Sequence, residues 1–140
     1  MIFYAVIDTN VIVSSMLKTN SIPGKIINYV RTNIIIPLLS EEIIEEYRNV
    51  LTRNEFDFDP NEIDRLLEII AEKGITLSRE QSLEDFIDED DIVFFEIVMS
   101  ARNTMDAYLV TGNMKHYPVR NYVVTPREMV DIIEKENESN

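Results

Sequence analysis

The chain has 140 residues, a usual length for one domain, and its 13 basic and 26 acidic side chains give a net charge of −13 at pH 7. Cysteine is absent and there is one histidine, which excludes a disulfide scaffold, a thiolate zinc site and a multi-histidine metal centre. The acidic charge argues against broad electrostatic binding to nucleic acid, and no segment resembles a signal peptide or a membrane span, so we expect a soluble cytoplasmic protein.

The first half of the chain alternates apolar runs with amphipathic stretches. In chain order they predict a strand over 2–7, a helix over 25–31, a strand over 33–39, helices over 40–53 and 61–73, and a short strand over 75–78. Continuous apolar runs of this kind are typical of strands that are covered on both faces. Ser40 is a favourable N-cap for the helix that follows it, and Gly74 is the expected C-cap of the 61–73 helix.

The second half repeats the alternation after a polar loop over 79–88. A helix opens at 88–91, strands follow over 107–111 and 122–125, and a last helix begins near Pro126. We expect the inner face of the helix that opens at 88–91 to consist of Phe94, Phe95, Val98 and Met99. The pattern predicts an α/β fold with a mainly parallel sheet and helices on both faces, in one domain over 1–134 with a frayed polar tail over 135–140.

Acidic and amide side chains follow the predicted strands or open the helices. Asp8 ends the first strand, and in an open parallel sheet ligands bind beyond the carboxyl ends of the strands. Clustered carboxylates suit a hard divalent cation such as Mg²⁺ or Mn²⁺, which supports phosphodiester hydrolysis without a catalytic His or Cys. The other candidates are Glu41, Glu42, Glu45, Glu46, Asp88, Asp90, Asp91, Thr111 and Asn113.

Each candidate also has a structural explanation. Asp8 suits a turn or a helix N-cap, and Asn113 suits a turn. The glutamates suit a solvated helix face, and Asp91 suits the positive end of a helix dipole. We expect Thr9 to hydrogen-bond Asp8 and Asn10 to cap the helix after it.

Four segments resemble the motifs of the PIN-domain family in order and spacing, over about residues 2–133. Segment 6–11, Val-Ile-Asp-Thr-Asn-Val, resembles the first acidic motif, and 40–51, which opens Ser-Glu-Glu, resembles the second. Segment 88–91, Asp-Glu-Asp-Asp, resembles the third, and 109–118, with Val-Thr-Gly-Asn, resembles the fourth. The resemblance implies a three-layer α/β/α fold with a mainly parallel sheet of about five strands.

The resemblance also implies a site and an activity. It places metal ligands at Asp8, Glu46 and Asp91, with Glu42 and Glu45 as alternatives to Glu46, and a fourth catalytic position at Asn113. It implies a Mg²⁺- or Mn²⁺-dependent endoribonuclease that cleaves single-stranded RNA. The fourth segment is similar to that of toxin components of toxin–antitoxin pairs, which implies a cognate antitoxin and a homodimer.

One departure leaves a rival function open. Many family members carry Asp where this chain has Asn113, so the site here has one negative charge fewer. Asp106 would compensate for that charge if it faces the site. The rival is a degenerate module that binds protein or RNA without cleaving it. A phosphoacceptor domain is a weaker rival, since it needs paired acids after the first strand and this chain has Asp8 alone there. For His116 we favour a structural hydrogen bond or a substrate-side contact over catalysis.

The remaining expectations concern the surface. In the loop over 54–60, Phe56 and Phe58 either form an exposed partner surface or pack onto the core, and we favour packing. The candidates for contacting RNA phosphates are Arg48, Arg53, Lys115 and Arg120.

Overall fold

The computed structural model describes residues 1–79 and 89–138, and these form one parallel sheet with the strand order β3-β2-β1-β4-β5. This confirms the predicted fold class and strand number. The strands are β1 (Phe3–Ile7), β2 (Ile35–Leu39), β3 (Ile75–Thr76), β4 (Ala107–Val110) and β5 (Val123–Val124).

The helices cover the sheet. They are α1 (Thr9–Leu17), α2 (Ile22–Arg31), α3 (Glu41–Leu51), α4 (Pro60–Lys73), α5 (Glu89–Arg102) and α6 (Pro126–Glu138). The chain steps outward from β1 through β2 to β3 and then crosses back to β4 on the other side of β1. Right-handed connections therefore place α5 on the face opposite the preceding helices, and α5 packs against β1, β2 and β4. None of the described helices has the length and apolar character needed to cross a bilayer.

The central strands are buried on both faces, as their continuous apolar sequences predict. Ala5 and Val6 in β1 and Leu109 and Val110 in β4 are fully buried. Because both faces of these strands are covered, polar groups adjoining them are confined to the strand ends. The carboxyl ends of β1 and β4 therefore become the natural place for a site.

Two helices and one strand differ from the prediction at the start of the chain. Helix α1 was expected only as the helix after Asn10, without bounds, because Val11, Ile12 and Val13 are all buried and a helix that is apolar on most sides shows no 3.6-residue period. Helix α2 begins at Ile22 rather than at residue 25, with Ser21 as its N-cap. Strand β2 begins at Ile35 rather than at residue 33. Asn33 has a φ of 66°, a left-handed conformation that ends the turn after α2 and that no strand residue adopts.

Gly74 follows α4 as predicted, but for a different reason. It is the C-cap of α4, as the sequence predicts, with an extended φ of −89° and ψ of 170°. A Cβ at this position would lie 2.8 Å from the carbonyl oxygen of Pro37 and even closer to Leu39. The glycine is thus required by the close approach of the chain to β2.

The last helix runs further than expected. α6 continues to Glu138, past the point where we expect fraying, and Glu134 forms an ion pair of 2.5 Å with Lys25 of α2. The division into a domain over 1–134 and a tail stays a prediction.

On α5, Met99 is half-buried rather than part of the core. The predicted loop over 79–88 lies outside the described residues except for Arg79.

Candidate functional site

The chain reverses its direction along the sheet between β1 and β4, which are neighbours. From β1 it proceeds toward β2, whereas from β4 it proceeds toward β5 on the other side. Such a point leaves a crevice beyond the carboxyl ends of the two strands. Asp8 follows β1 and Thr111 follows β4, so both lie at this crevice.

Asp8 is buried, with 4% of its surface exposed, and is surrounded by hydrogen-bond donors. Its Oδ2 accepts from the Thr111 hydroxyl at 2.7 Å, the Tyr117 hydroxyl at 3.1 Å and the Asn10 amide at 3.3 Å. Asp8 occupies the N-cap position of α1, yet its side chain makes no capping hydrogen bond. The N-cap alternative therefore does not explain this carboxylate.

Burial dominates the electrostatics of this group. Desolvation raises the pKa of Asp8 above its ordinary value, and the hydrogen bonds from Thr111 and Tyr117 oppose the rise without cancelling it. Burial together with the nearby Asp8 charge raises the pKa of Tyr117 and of Tyr47, so both phenols stay protonated donors. The Tyr47 hydroxyl donates to the carbonyl oxygen of Ile7 at 2.5 Å. The Coulombic effect of His116 also lowers the pKa of Asp8, but burial outweighs it together with the hydrogen bonds.

Asn10 connects the two strand ends. Its side-chain oxygen accepts from the Gly112 backbone at 3.0 Å, whereas we expected Asn10 to cap a helix. A Cβ on Gly112 would lie 3.2 Å from that oxygen, which explains a glycine in the turn. The Thr111 hydroxyl also accepts from the Asn113 backbone at 3.0 Å, so the turn and Asp8 are held by one network. The expected hydrogen bond from Thr9 to Asp8 is made by the Thr9 backbone N–H, whereas within the described part of the chain the Thr9 hydroxyl has no partner.

A cavity of about 390 Å³ opens at the crevice. Its volume lies in the range of ligand sites. Four carboxylates from three parts of the fold line it together with two amides and one imidazole: Asp8, Glu46, Asp90, Asp91, Asn10, Asn113 and His116. All four residues that the resemblance singles out thus lie on one cavity, while Asp88 lies outside the described residues.

The position of Glu46 follows from the buried face of α3. Ile43, Tyr47 and Val50 face the core, and Glu46 is half-buried at the edge of that face. Glu45 is exposed and does not line the cavity, and Glu42 forms an ion pair of 2.5 Å with Arg79. Geometry therefore separates Glu46 from its two neighbours on the helix.

Asp91 lies in the first turn of α5 against His116. The distance between His116 Nδ1 and Asp91 Oδ2 is 3.0 Å, and the Asp91 side chain is 15% exposed. The imidazole thus contacts a cavity carboxylate from the 3₁₀ turn over Met114–His116. His116 therefore pairs with a candidate metal ligand, and the structural hydrogen bond and the substrate-side contact both stay predictions for it.

The carboxylates do not form a ready-made metal centre. Within residues 1–79 and 89–138, no three carboxylate or imidazole side chains stand close enough together to hold an ion between them. Their chemistry nevertheless fits a hydrated hard cation, since burial raises the pKa of Asp8 despite its partners and, among the described residues, the buried Thr9 hydroxyl on the cavity wall lacks a partner. Mg²⁺ keeps several waters and binds through one or two carboxylates, so such an ion needs fewer direct protein ligands.

A larger cavity, of about 530 Å³, lies between α1, α2 and α4. Glu62 is the one carboxylate that lines it, so its size does not make it the better candidate for metal chemistry. Among the described residues, the convergence of acidic groups distinguishes the smaller cavity.

Other candidates lie elsewhere. Asp106 precedes β4 at the opposite end of the strand, exposed and 3.3 Å from Arg102, so the idea that it compensates for Asn113 is wrong. Arg48 forms an ion pair of 2.8 Å with Asp64.

Sequence reasoning missed Tyr117 as a partner of Asp8, because an aromatic side chain beside Pro118 carries no signal of what its hydroxyl contacts.

Comparison with known proteins agrees with this geometry. A family model described as PIN domain matches residues 4–115, which include Asp8, Glu46, Asp91 and Asn113. A protein of Methanocaldococcus jannaschii, named "Uncharacterized protein MJ1680", is 25% identical over 145 residues, covering 93% of this chain and 91% of the relative.

Proposed function

The chain belongs to the PIN domain family, whose members are generally nucleases, and we propose that it is a metal-dependent endoribonuclease that cleaves single-stranded RNA. The observation that carries the proposal is the gathering of Asp8, Glu46 and Asp91, from three distant parts of the chain, on one cavity at the reversal point of the sheet. At that point the buried Asp8 carboxylate is held by neutral hydroxyl donors. Because burial penalises the charged carboxylate, cation binding explains its presence better than a role in folding does.

We assign Mg²⁺ or Mn²⁺ to this cavity, held by Asp8, Glu46 and Asp91 directly or through water. When bound, such an ion supplies Lewis acidity toward a phosphoryl oxygen and toward an attacking water. Thr111 and Tyr117 keep the Asp8 carboxylate oriented into the site. Asn113, at the cavity rim, offers an amide that accepts from and donates to a water or a phosphate.

The biological setting is part of the same proposal. We propose that the chain acts in the cytoplasm as the toxin of a toxin–antitoxin pair, inhibited by a cognate antitoxin and forming a homodimer. The support is the likeness of segment 109–118 to that subgroup. A neighbouring reading frame that encodes a small DNA-binding protein would support this setting.

A binding module without nuclease activity is the second candidate. Asn113 favours it, because an amide replaces the carboxylate that many family members carry there. The absence of a ready-made three-acid centre in the described ranges also favours it. Saturable Mn²⁺ binding separates the two, since a pure binding module needs no ion site that depends on Asp91.

Cleavage of a labelled single-stranded RNA tests the proposal. We expect cleavage with Mg²⁺ or Mn²⁺ and none in EDTA, and we expect Asp91→Asn to lower kcat/KM at least about a hundredfold because it removes a charged ligand. Calorimetric titration should show Mn²⁺ binding to the wild-type chain that Asp91→Asn weakens. Equal cleavage by the variant, or metal-independent cleavage, would contradict the assignment.

A matched pair on α3 tests the second acid. Glu46→Gln should lower kcat/KM about tenfold or more, since it removes a charge that faces the cavity. Glu45→Gln makes the same chemical change one residue away on the exposed face and should leave kcat/KM unchanged. A larger loss in Glu45→Gln than in Glu46→Gln would show that the wrong glutamate was chosen.

A further inference from the structure

The connection between α3 and α4 separates the acidic cavity from a second one. This second cavity has a volume of about 280 Å³ and lies between the end of α3 and the start of α4. Phe56 lines the acidic cavity, Phe58 lines the second cavity, and Arg53 lines both. The two cavities therefore adjoin along a wall made of one cationic side chain and two aromatic rings.

The aromatic part of this wall is preformed. The rings of Phe56 and Phe58 stack with their centroids 5.4 Å apart and their planes 11° from parallel. Asp57 between them has a φ of 50°, a left-handed conformation that Asp tolerates better than most residues. Both rings are half-buried and pack against the core, which confirms the packing we favoured for this loop. A flat aromatic surface is thus held in place beside the candidate site.

The cationic part of the wall is available to a ligand. Arg53 is exposed, and in the described part of the chain its guanidinium makes neither an ion pair nor a hydrogen bond. Arg48, one and a half turns earlier, is by contrast occupied by Asp64 at 2.8 Å. An unpaired guanidinium at the edge of an acidic cavity suits a phosphate, which it binds through paired hydrogen bonds.

We propose that the second cavity binds one nucleobase of a single-stranded RNA, while Arg53 holds the phosphate between that nucleotide and the candidate catalytic cavity. The base stacks on Phe58, as bases stack on aromatic side chains in proteins that bind single strands. Asn54, which also lines the second cavity, offers a donor and an acceptor to the base edge. A paired base cannot enter a cavity between two helices, so this subsite selects unpaired RNA. The inference rests on the proposed function and adds the recognition of substrate to it.

Abasic RNA tests this subsite on the unaltered protein. The probe is a short single-stranded oligoribonucleotide of mixed sequence, and each member of a series lacks one base near the cleavage position. We expect one position at which the missing base raises KM about 5- to 100-fold, the range of one stacked base, with a much smaller change in kcat. Abasic nucleotides further away should have little effect.

Variants connect that position to the wall. Phe58→Leu should raise KM for intact RNA by a similar factor and should no longer distinguish intact from abasic RNA. Arg53→Gln should raise KM about tenfold and reduce the slope of log affinity against log salt by about one, as for one lost phosphate contact. Arg65→Gln, the same change at an exposed arginine on α4 that lines the 530 Å³ cavity, should leave both quantities unchanged.

The outcomes separate the two claims. If the wild-type chain cleaves RNA but tolerates an abasic nucleotide at every position, the subsite is wrong and the nuclease assignment stands. If the wild-type chain neither binds nor cleaves RNA in Mg²⁺ or Mn²⁺, both are wrong. If Phe58→Leu fails to fold, the abasic series on the wild-type chain decides.

Discussion

Replacing Asp8 by Asn is expected to abolish RNA cleavage and to stabilise the metal-free protein at the same time. The substitution removes the buried charge around which the site is built, so kcat/KM should fall about a thousandfold. The amide oxygen still accepts from Thr111 and Tyr117, while the buried charge is gone. We expect the free energy of unfolding in EDTA at pH 7 to rise by about 1 kcal/mol, the scale of a single polar substitution.

The pH dependence follows from the direction of the pKa shift. Folding raises the pKa of Asp8, so the folded state is penalised where the carboxyl is charged and not where it is protonated. Below pH 3.8, the ordinary pKa of Asp, Asp8→Asn should therefore be no more stable than the wild type. The difference in free energy of unfolding should grow as the pH rises through the pKa that Asp8 has in the folded protein. Urea unfolding at several pH values measures it.

A control variant and a contrary result complete this test. Asp131→Asn removes an exposed carboxylate of α6 and should leave the free energy of unfolding nearly unchanged at every pH. A metal-free Asp8→Asn that is less stable than the wild type at pH 7 would show that the carboxylate contributes to folding without an ion. The case for a cation site would then lose its main electrostatic support.

Arg79→Ala is expected to cause the largest loss of stability among single surface substitutions. Glu96 on α5 is buried, with its side chain 4% exposed, and its Oε1 accepts from Arg79 Nη2 at 2.5 Å and from Nε at 2.9 Å. Arg79 also contacts Glu42 on α3, so the guanidinium joins the two helices that carry Glu46 and Asp91. Removing it leaves a buried charge with fewer partners, which costs about 3 kcal/mol.

The rescue variant distinguishes this mechanism from general damage. Arg79→Ala combined with Glu96→Gln should recover part of the lost stability, because the buried side chain is then neutral. Lys25→Ala breaks an exposed ion pair, with Glu134, and should cost much less stability than Arg79→Ala. Equal losses in Arg79→Ala and Lys25→Ala, measured by urea unfolding, would contradict the argument.

The sequence predicted those parts of the molecule that local pattern controls. Continuous apolar runs identified β1 and β4, and Ser40 caps α3 through its hydroxyl, which accepts from Ile43. The motifs also singled out Asp8 and Glu46, which line one cavity, while their role as metal ligands stays a prediction. Local patterns do not show causes that are distant in the chain, as for Gly74, where a Cβ would clash with Pro37 and Leu39 of β2.

Buried polar partners were the other gap. Glu96 lies among apolar residues on α5 and was not part of the inner face predicted for that helix, and only tertiary contact shows the guanidinium that neutralises it. Tyr117 is likewise a site residue through its hydroxyl alone. Such roles depend on where a side-chain tip meets a group from another element, and periodicity carries no information on that.

The order of the strands has a consequence for protein synthesis. The hydroxyl partners of Asp8, Thr111 and Tyr117, follow it 103 and 109 residues later, both after the strand that pairs with β1. A growing chain therefore cannot complete this hydrogen-bond network until β4 and Tyr117 have left the ribosome. The proposed nuclease would thus stay inactive while the segment between Asp8 and Tyr117 is still being translated.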